Sequence, residues 1–181
     1  MRIQEIANYI DQSESLHLAR LLILVGAFER PDRPAIEGIT KLAKLDFLLR
    51  YPTYFERAVL KRGGNPPAGT VPDYERHTVE AQMVRYRFGP WDHRIRRFLN
   101  LLAARGLIKI SVEGRTVMIS PTKLGLEASS RLSALEEYKS IAERALVLKK
   151  RLDIGATNLM RFIYETFPEI VSLDFDEVIL P

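Results

Sequence analysis

Apolar residues recur every three to four positions over most of this chain. Ile3, Ile6 and Ile10 fall at helical spacing, and "DQSES" then supplies N-cap residues for a second helix with an apolar face of Leu18, Leu21, Leu22 and Val25. "ERPDRP" breaks that helix. From Ala35, "AIEGITKLAKLDFLLRY" predicts a third helix with Ile39, Leu42, Leu45 and Leu49 turned inward, Lys41 and Lys44 turned outward, and Pro52 as its stop. A short helix over residues 53–61 follows. "KRGGNPPAGTVPD" carries too much glycine and proline for regular structure and reads as a functional loop or an insertion.

The stretch "FGPWDHRIRRFLNLLAARGLI" predicts a helix over residues 91–105. Gly89 and Pro90 suit its start, because proline in the first turn loses no hydrogen bond, and Asp92 favours the positive end of the helix dipole. At about 100° per residue, Trp91, Ile95, Phe98, Leu99 and Leu102 share one arc. His93, Arg96, Arg97 and Asn100 occupy the opposite side, with Arg94 and Arg105 on the flank. The period then shortens to two: "LIKISV" alternates Ile108, Ile110 and Val112 with Lys109 and Ser111, and "RTVMIS" sets Val117 and Ile119 on one face. Glu113 and Gly114 make a tight connection that puts Arg115 at the tip of a β-hairpin.

Thr122 is an N-cap candidate for a long helix, since Leu124, Ala128, Leu132, Leu135, Tyr138, Ala142, Ala145, Leu148 and Leu152 recur at a mean spacing of 3.5, a sustained seam for docking or dimerisation. "DIG" ends it. Leu159, Phe162, Ile163 and Thr166 define a last helix stopped by Pro168, and "SLDFDEVIL" reads as an extended acidic segment able to add to a sheet edge or bind a groove.

At 181 residues the chain fits one domain with an extension or two small domains, and 46% hydrophobic with 28% charged residues predicts a folded protein. It has no cysteine, which excludes disulfides, thiolate nucleophiles and zinc–thiolate clusters and is compatible with a reducing cytoplasm. The longest apolar run, "LLILVGAF", is far shorter than the roughly 20 residues of a membrane span. Charge is unevenly spread: residues 85–105 hold six arginines against Asp92, a net +5, whereas residues 165–181 hold five carboxylates and no Lys or Arg. That asymmetry points to an anionic partner for the middle of the chain and a cationic one for its end.

Catalysis is not indicated. The glycines at 63, 64 and 69 lack the G-K-[ST] of a phosphate loop; His77 and Glu80 have the i, i+3 spacing of metal ligands but no second pair; Asp73, Glu75 and Glu80 lack a partner nucleophile.

Two stretches carry a family resemblance. "ITKLAKLDFLLRYP" followed by "VEAQMVRYRFGPWDHRIRRFLNLLAARGLIKI" resembles the middle components of bacterial ABC-three-component systems, the class that includes Lamassu-type antiphage defence operons. The match covers roughly residues 36 to 120, and its most specific words are "KLDFLLRYP" and "RYRFGPWDHR". The resemblance implies a small non-enzymatic subunit that sits with an SMC-like ATPase and an effector, often a nuclease, in a DNA-surveillance complex.

The fold class expected is mainly α with a small β-hairpin: a winged helix-turn-helix domain over residues 1–121, with an insertion at about 53–88, and a C-terminal helical docking or dimerisation region with an acidic tail over 122–181. The function expected is that of an accessory or bridging subunit of an SMC-like ATPase antiphage defence complex, cytoplasmic, with no cofactor, metal or membrane partner. The alternative is a homodimeric winged-helix transcriptional regulator that reads a palindrome. Under either reading the DNA- or partner-binding residues are His93, Arg94, Arg96, Arg97, Asn100, Lys109 and Arg115, because arginine and asparagine read base edges while lysine and arginine neutralise phosphates.

Overall fold

The structure is a computed structural model that describes residues 14–76 and 82–181. The helix expected around Ile3, Ile6 and Ile10 lies outside the described residues, as do His77 and Glu80. Eight α-helices and a small antiparallel sheet make the described chain mainly helical. In order they are α1 (Glu14–Ala27), β1 (Ile36–Glu37), α2 (Ile39–Arg50), α3 (Pro52–Lys61), β2 (Val84–Tyr86), β3 (Gly89–Trp91), α4 (Ile95–Ala104), β4 (Ile108–Glu113), β5 (Thr116–Pro121), α5 (Lys123–Ser133), α6 (Lys139–Leu152), α7 (Ala156–Thr166) and α8 (Pro168–Ser172). None of these helices is long and apolar enough to cross a membrane.

Helix α2 is the axis of the core. Every residue from Lys41 to Arg50 is buried, and α1, α3, α6, α7, β1 and β3 pack around it. Lys41 and Lys44, expected outside, are therefore inside at 4% and 1% exposure. The helical period placed its apolar arc correctly, but the opposite face is covered as well. Each charge on that face consequently needs an answer from another element.

Two further expectations change. Ala35 and the residues after it do not begin a helix: Ile36 and Glu37 form β1, which pairs with Ile119 and Met118 of β5, and Gly38, at φ 100°, turns the chain into α2. The sheet thus has three strands in the order β1-β5-β4, all antiparallel. Likewise "RYRFGPW" is not a helix entry. Val84–Tyr86 and Gly89–Trp91 form a second hairpin, and Asp92 then gathers the chain by accepting from the Arg94 backbone N–H at 2.9 Å, so that α4 starts only at Ile95.

The end of α4 is fixed locally. Gly106 takes φ 69°, its N–H donates to the Ala103 carbonyl at 2.9 Å, and the Leu107 N–H donates to Leu102 at 3.0 Å, the hydrogen-bond pair of a Schellman motif. The chain passes straight into β4, and Gly114 at φ 61° supplies the positive angle that the tight turn into β5 requires. Thr122 caps α5, accepting from the Gly125 N–H at 3.0 Å and donating to the Gly106 carbonyl at 2.6 Å.

The long seam is broken. Residues 123–152 form α5 and α6, separated by a 3₁₀ turn over Glu136–Tyr138, and both helices pack on α1. Ala145, Leu148 and Leu152 are fully buried inside the chain, whereas Leu124 and Leu135 are exposed. A mean spacing of 3.5 was met by two helices with different inner faces.

The acidic tail does add to an edge, and the edge is the chain's own. Val178 bridges Val84, the Arg85 N–H donates to Glu177 at 2.9 Å, and the Ile179 N–H donates to Met83 at 2.9 Å. The Tyr51 hydroxyl accepts from the Met83 N–H and donates to the Ile179 carbonyl, both at 2.8 Å.

A Cβ at Gly125 would stand 1.8 Å from the Leu107 carbonyl oxygen. Gly125→Ala therefore forces α5 away from the start of β4, and thermal or urea unfolding should show a loss of about 1–3 kcal/mol, the usual cost of overpacking. An unchanged unfolding midpoint would mean that these two segments do not abut.

Candidate nucleic-acid and partner interface

The apolar arc of α4 is sealed: Ile95, Phe98, Leu99 and Leu102 are all buried at 3% exposure or less. Trp91 is not on this helix. It is half-buried in β3, stacked on Tyr86 at 5.9 Å between centroids. On the outer face, Arg96, Arg97 and Asn100 are exposed, and Lys109 and Arg115 are exposed on the adjoining ribbon.

The seven predicted residues divide by what holds them. Arg94 is turned inward: its Nε and one terminal nitrogen donate to the two oxygens of Asp92 at 3.0 Å each, and its guanidinium lies 5.6 Å from the Phe98 ring centre. It acts as a clamp on the helix start. Arg97 pairs with Glu14 at 2.6 Å and His93 with Asp176 at 3.1 Å, both in the solvent-exposed layer. Such exposed pairs contribute about 0–1 kcal/mol and open readily to a competing anion. Arg96, Asn100, Lys109 and Arg115 have no side-chain partner among the described residues.

Beneath this face runs an ionic network that the hydrophobic pattern did not reveal. Arg20 of α1 donates to Asp46 of α2 at 2.7 Å; Asp46 also accepts from Arg50 at 2.6 and 2.9 Å; Arg50 donates to Asp92 at 2.8 Å; and Asp92 accepts from Arg94. Arg20, Asp46 and Arg50 side chains are fully buried. His17, stacked on Phe98 at 4.8 Å, accepts from Arg20 at 2.9 Å through Nδ1, which fixes the ring that α4 leans on. The signal in the sequence was an arginine inside "LARLLILV", since a charge within a helix that is apolar on most sides must find a counter-charge in the core.

Burial by itself would raise the Asp46 carboxyl, and the guanidinium groups of Arg20 and Arg50 reverse this and hold it below the ordinary range. Burial acts on Asp92 in the same upward sense, and Arg94 and Arg50 overcome it. The two aspartates together raise Arg50 against the lowering effect of its own burial. Lys44 differs. Burial pushes it down to about 8, and its ammonium donates to the Thr40 carbonyl at 3.1 Å with no carboxylate beside it among the described residues.

Among the described residues no group of three or more His, Asp or Glu is placed to hold a metal ion.

Asp46→Ala removes the carboxylate that joins Arg20 to Arg50 in the core and should cost about 3–5 kcal/mol in denaturant unfolding. Asp46 and Asp92 are both depressed in the folded state, so their stabilisation is complete above the ordinary carboxylate pKa of about 4 and is lost as pH falls below it. An unfolding series from pH 6 to pH 2 should show this acid loss, with a shallower slope in Asp46→Ala. Equal slopes would remove the network from the stability of the fold. No family model, curated protein or solved structure matches this chain.

Proposed function

We propose that this protein is a non-enzymatic winged-helix subunit that bridges an SMC-like ATPase and its effector in an antiphage defence complex, meeting DNA or a partner subunit through α4 and the β4–β5 ribbon. The observation that carries the reading is the arrangement of α1, β1, α2, α4, β4 and β5, with sheet order β1-β5-β4. It is the connectivity a winged helix needs, and α3 with the β2–β3 hairpin takes the place of the insertion. In such a unit α4 is the recognition helix and the ribbon ending at Gly114 and Arg115 is the wing. The exposed Arg96, Arg97, Asn100, Lys109 and Arg115 give that surface the charge and amide donors that phosphates and base edges accept.

The family words support the bridging role over the regulator. In the fold, "KLDFLLRYP" contributes Asp46, Arg50 and Tyr51, and "RYRFGPWDHR" contributes Asp92 and Arg94, the partners in the buried network and the tail clasp. A dimeric regulator would need the apolar seam of residues 124–152 for a second copy, and Ala145, Leu148 and Leu152 are already covered within the chain.

Co-expression with the products of its neighbouring genes, which on this reading include an SMC-like ATPase and an effector, followed by affinity capture, should yield a stable complex. The isolated chain should bind duplex DNA weakly and without sequence preference, and Arg96→Ala or Arg115→Ala should each flatten the salt dependence by about one unit of slope, as loss of one phosphate contact does. Recovery of the chain alone, together with tight specific binding to its own promoter, would replace this reading with the regulator.

A further inference from the structure

Of the charges buried on α2, Lys41 meets Asp153 at 3.1 Å, Asp46 meets Arg20 and Arg50, and Arg50 meets Asp92. Lys44 alone on that face lacks an opposite charge among the described residues, although it is 1% exposed. An uncompensated ammonium in a core is costly, and the geometry around it shows what would offset the cost. Lys44 lines a cavity of about 340 Å³ between the first turn of α2, the β2–β3 hairpin and the start of α4. Arg96 and His93 line the same cavity, so three basic residues border one small volume. Gly89, at φ 117°, takes a backbone angle that favours glycine, and the hairpin there lies against the Lys44 side chain. The remaining wall is aromatic: Tyr86 and Trp91 stack at 5.9 Å and 28°, and Phe88, about half exposed, completes it. His93 is held edge-on to Tyr86 by that ring and by Asp176.

We propose that this cavity binds a nucleotide, with its phosphate between Lys44 and Arg96 and its base against the Tyr86, Phe88 and Trp91 wall. The volume falls in the range of small-molecule sites, roughly 300–1,000 Å³. Lysine and arginine together suit a phosphate dianion, and every base offers a flat face to an aromatic ring. Lys44 is kept in the core, on this account, for the ligand rather than for the fold. The nucleotide comes either free or as the 5′-phosphorylated end of a strand, and the site adjoins the outer face of α4, because Arg96 borders both; Lys44→Met separates the two, since Lys44 is buried and belongs to the cavity alone.

Trp91 is the only tryptophan of the chain, so its emission reports from the cavity wall. The intact protein is titrated with AMP, GMP and CMP, with adenosine, with inorganic phosphate, and with a short oligonucleotide carrying or lacking a 5′-phosphate. At least one mononucleotide should give a saturable change, on the order of tenfold tighter than adenosine or phosphate. Lys44→Met should weaken it by at least about tenfold and raise the melting temperature, because a buried charge is replaced by an apolar chain of similar length. Should that variant fail to fold, exposed Arg96→Ala must still weaken binding several-fold. Tighter binding of the phosphorylated oligonucleotide than of any mononucleotide assigns the site to strand ends, and the reverse order assigns it to free nucleotides. No saturable change with any phosphorylated probe up to about 10 mM, or an unaltered response in Lys44→Met, overturns the proposal.

Discussion

Helix α2 runs through the middle of the molecule with no side open to water from Lys41 to Arg50, yet it carries four charged residues over that length. Burial of this kind is tolerated only when each charge finds an opposite charge or a hydrogen-bonding partner. The partners come from far along the chain: Arg20 from α1, Asp92 from the entry to α4, Asp153 from the end of α6. The electrostatic demand of one helix thereby ties down the entry to α4, the end of α6 and the middle of α1. Apolar packing around α2 would allow those elements to slide, whereas paired hydrogen bonds to a carboxylate fix direction as well as distance.

The placement of α4 follows from that demand. Asp92 is pulled toward Arg50 and at the same time accepts from the Arg94 backbone and side chain, so the first turn of α4 is pinned to the core by an ion pair rather than by its own cap. Phe98 against His17 and the Schellman turn at Gly106 fix the helix along its length and at its far end. What remains outside is a short row of cations and one amide on a rigid support. The C-terminal segment belongs to the same arrangement, because the Tyr51 hydroxyl, at the end of α2, joins Met83 to Ile179 and holds the acidic tail against the arginine-rich hairpin. The two stretches thus meet within the chain, with Asp176 on His93 and Arg85 over the Phe175 ring.

Much of the local structure could be read without coordinates. The inner arcs of α1 and α4, the ribbon of residues 108–121 and its turn, the helix over residues 53–61, and the irregular loop after it follow from period and from glycine and proline chemistry. Each misreading came from a local signal that two different structures share. Lys41 and Lys44 were expected outside because a polar arc on a helix normally meets water, and residues 123–152 were expected as one helix because two short helices can together imitate a heptad spacing. Gly89, Pro90 and Trp91 read as the start of α4 because glycine and proline before an apolar run serve equally for a helix start and for a hairpin.

The sequence by itself determined which residues alternate and with what period, where backbone angles are forced by Gly106 and Gly114, and which residue types stand on the outer side of α4, since all of these are properties of neighbours within a few positions. Only the tertiary structure decided which polar arcs are covered, which carboxylate answers which arginine, and that Lys44 shares a cavity with Arg96 and Trp91. Those outcomes depend on contacts between segments 26 to 128 positions apart, such as Arg20 with Asp46 and Tyr51 with Ile179, and periodicity along a chain holds no information about what will lie across from it.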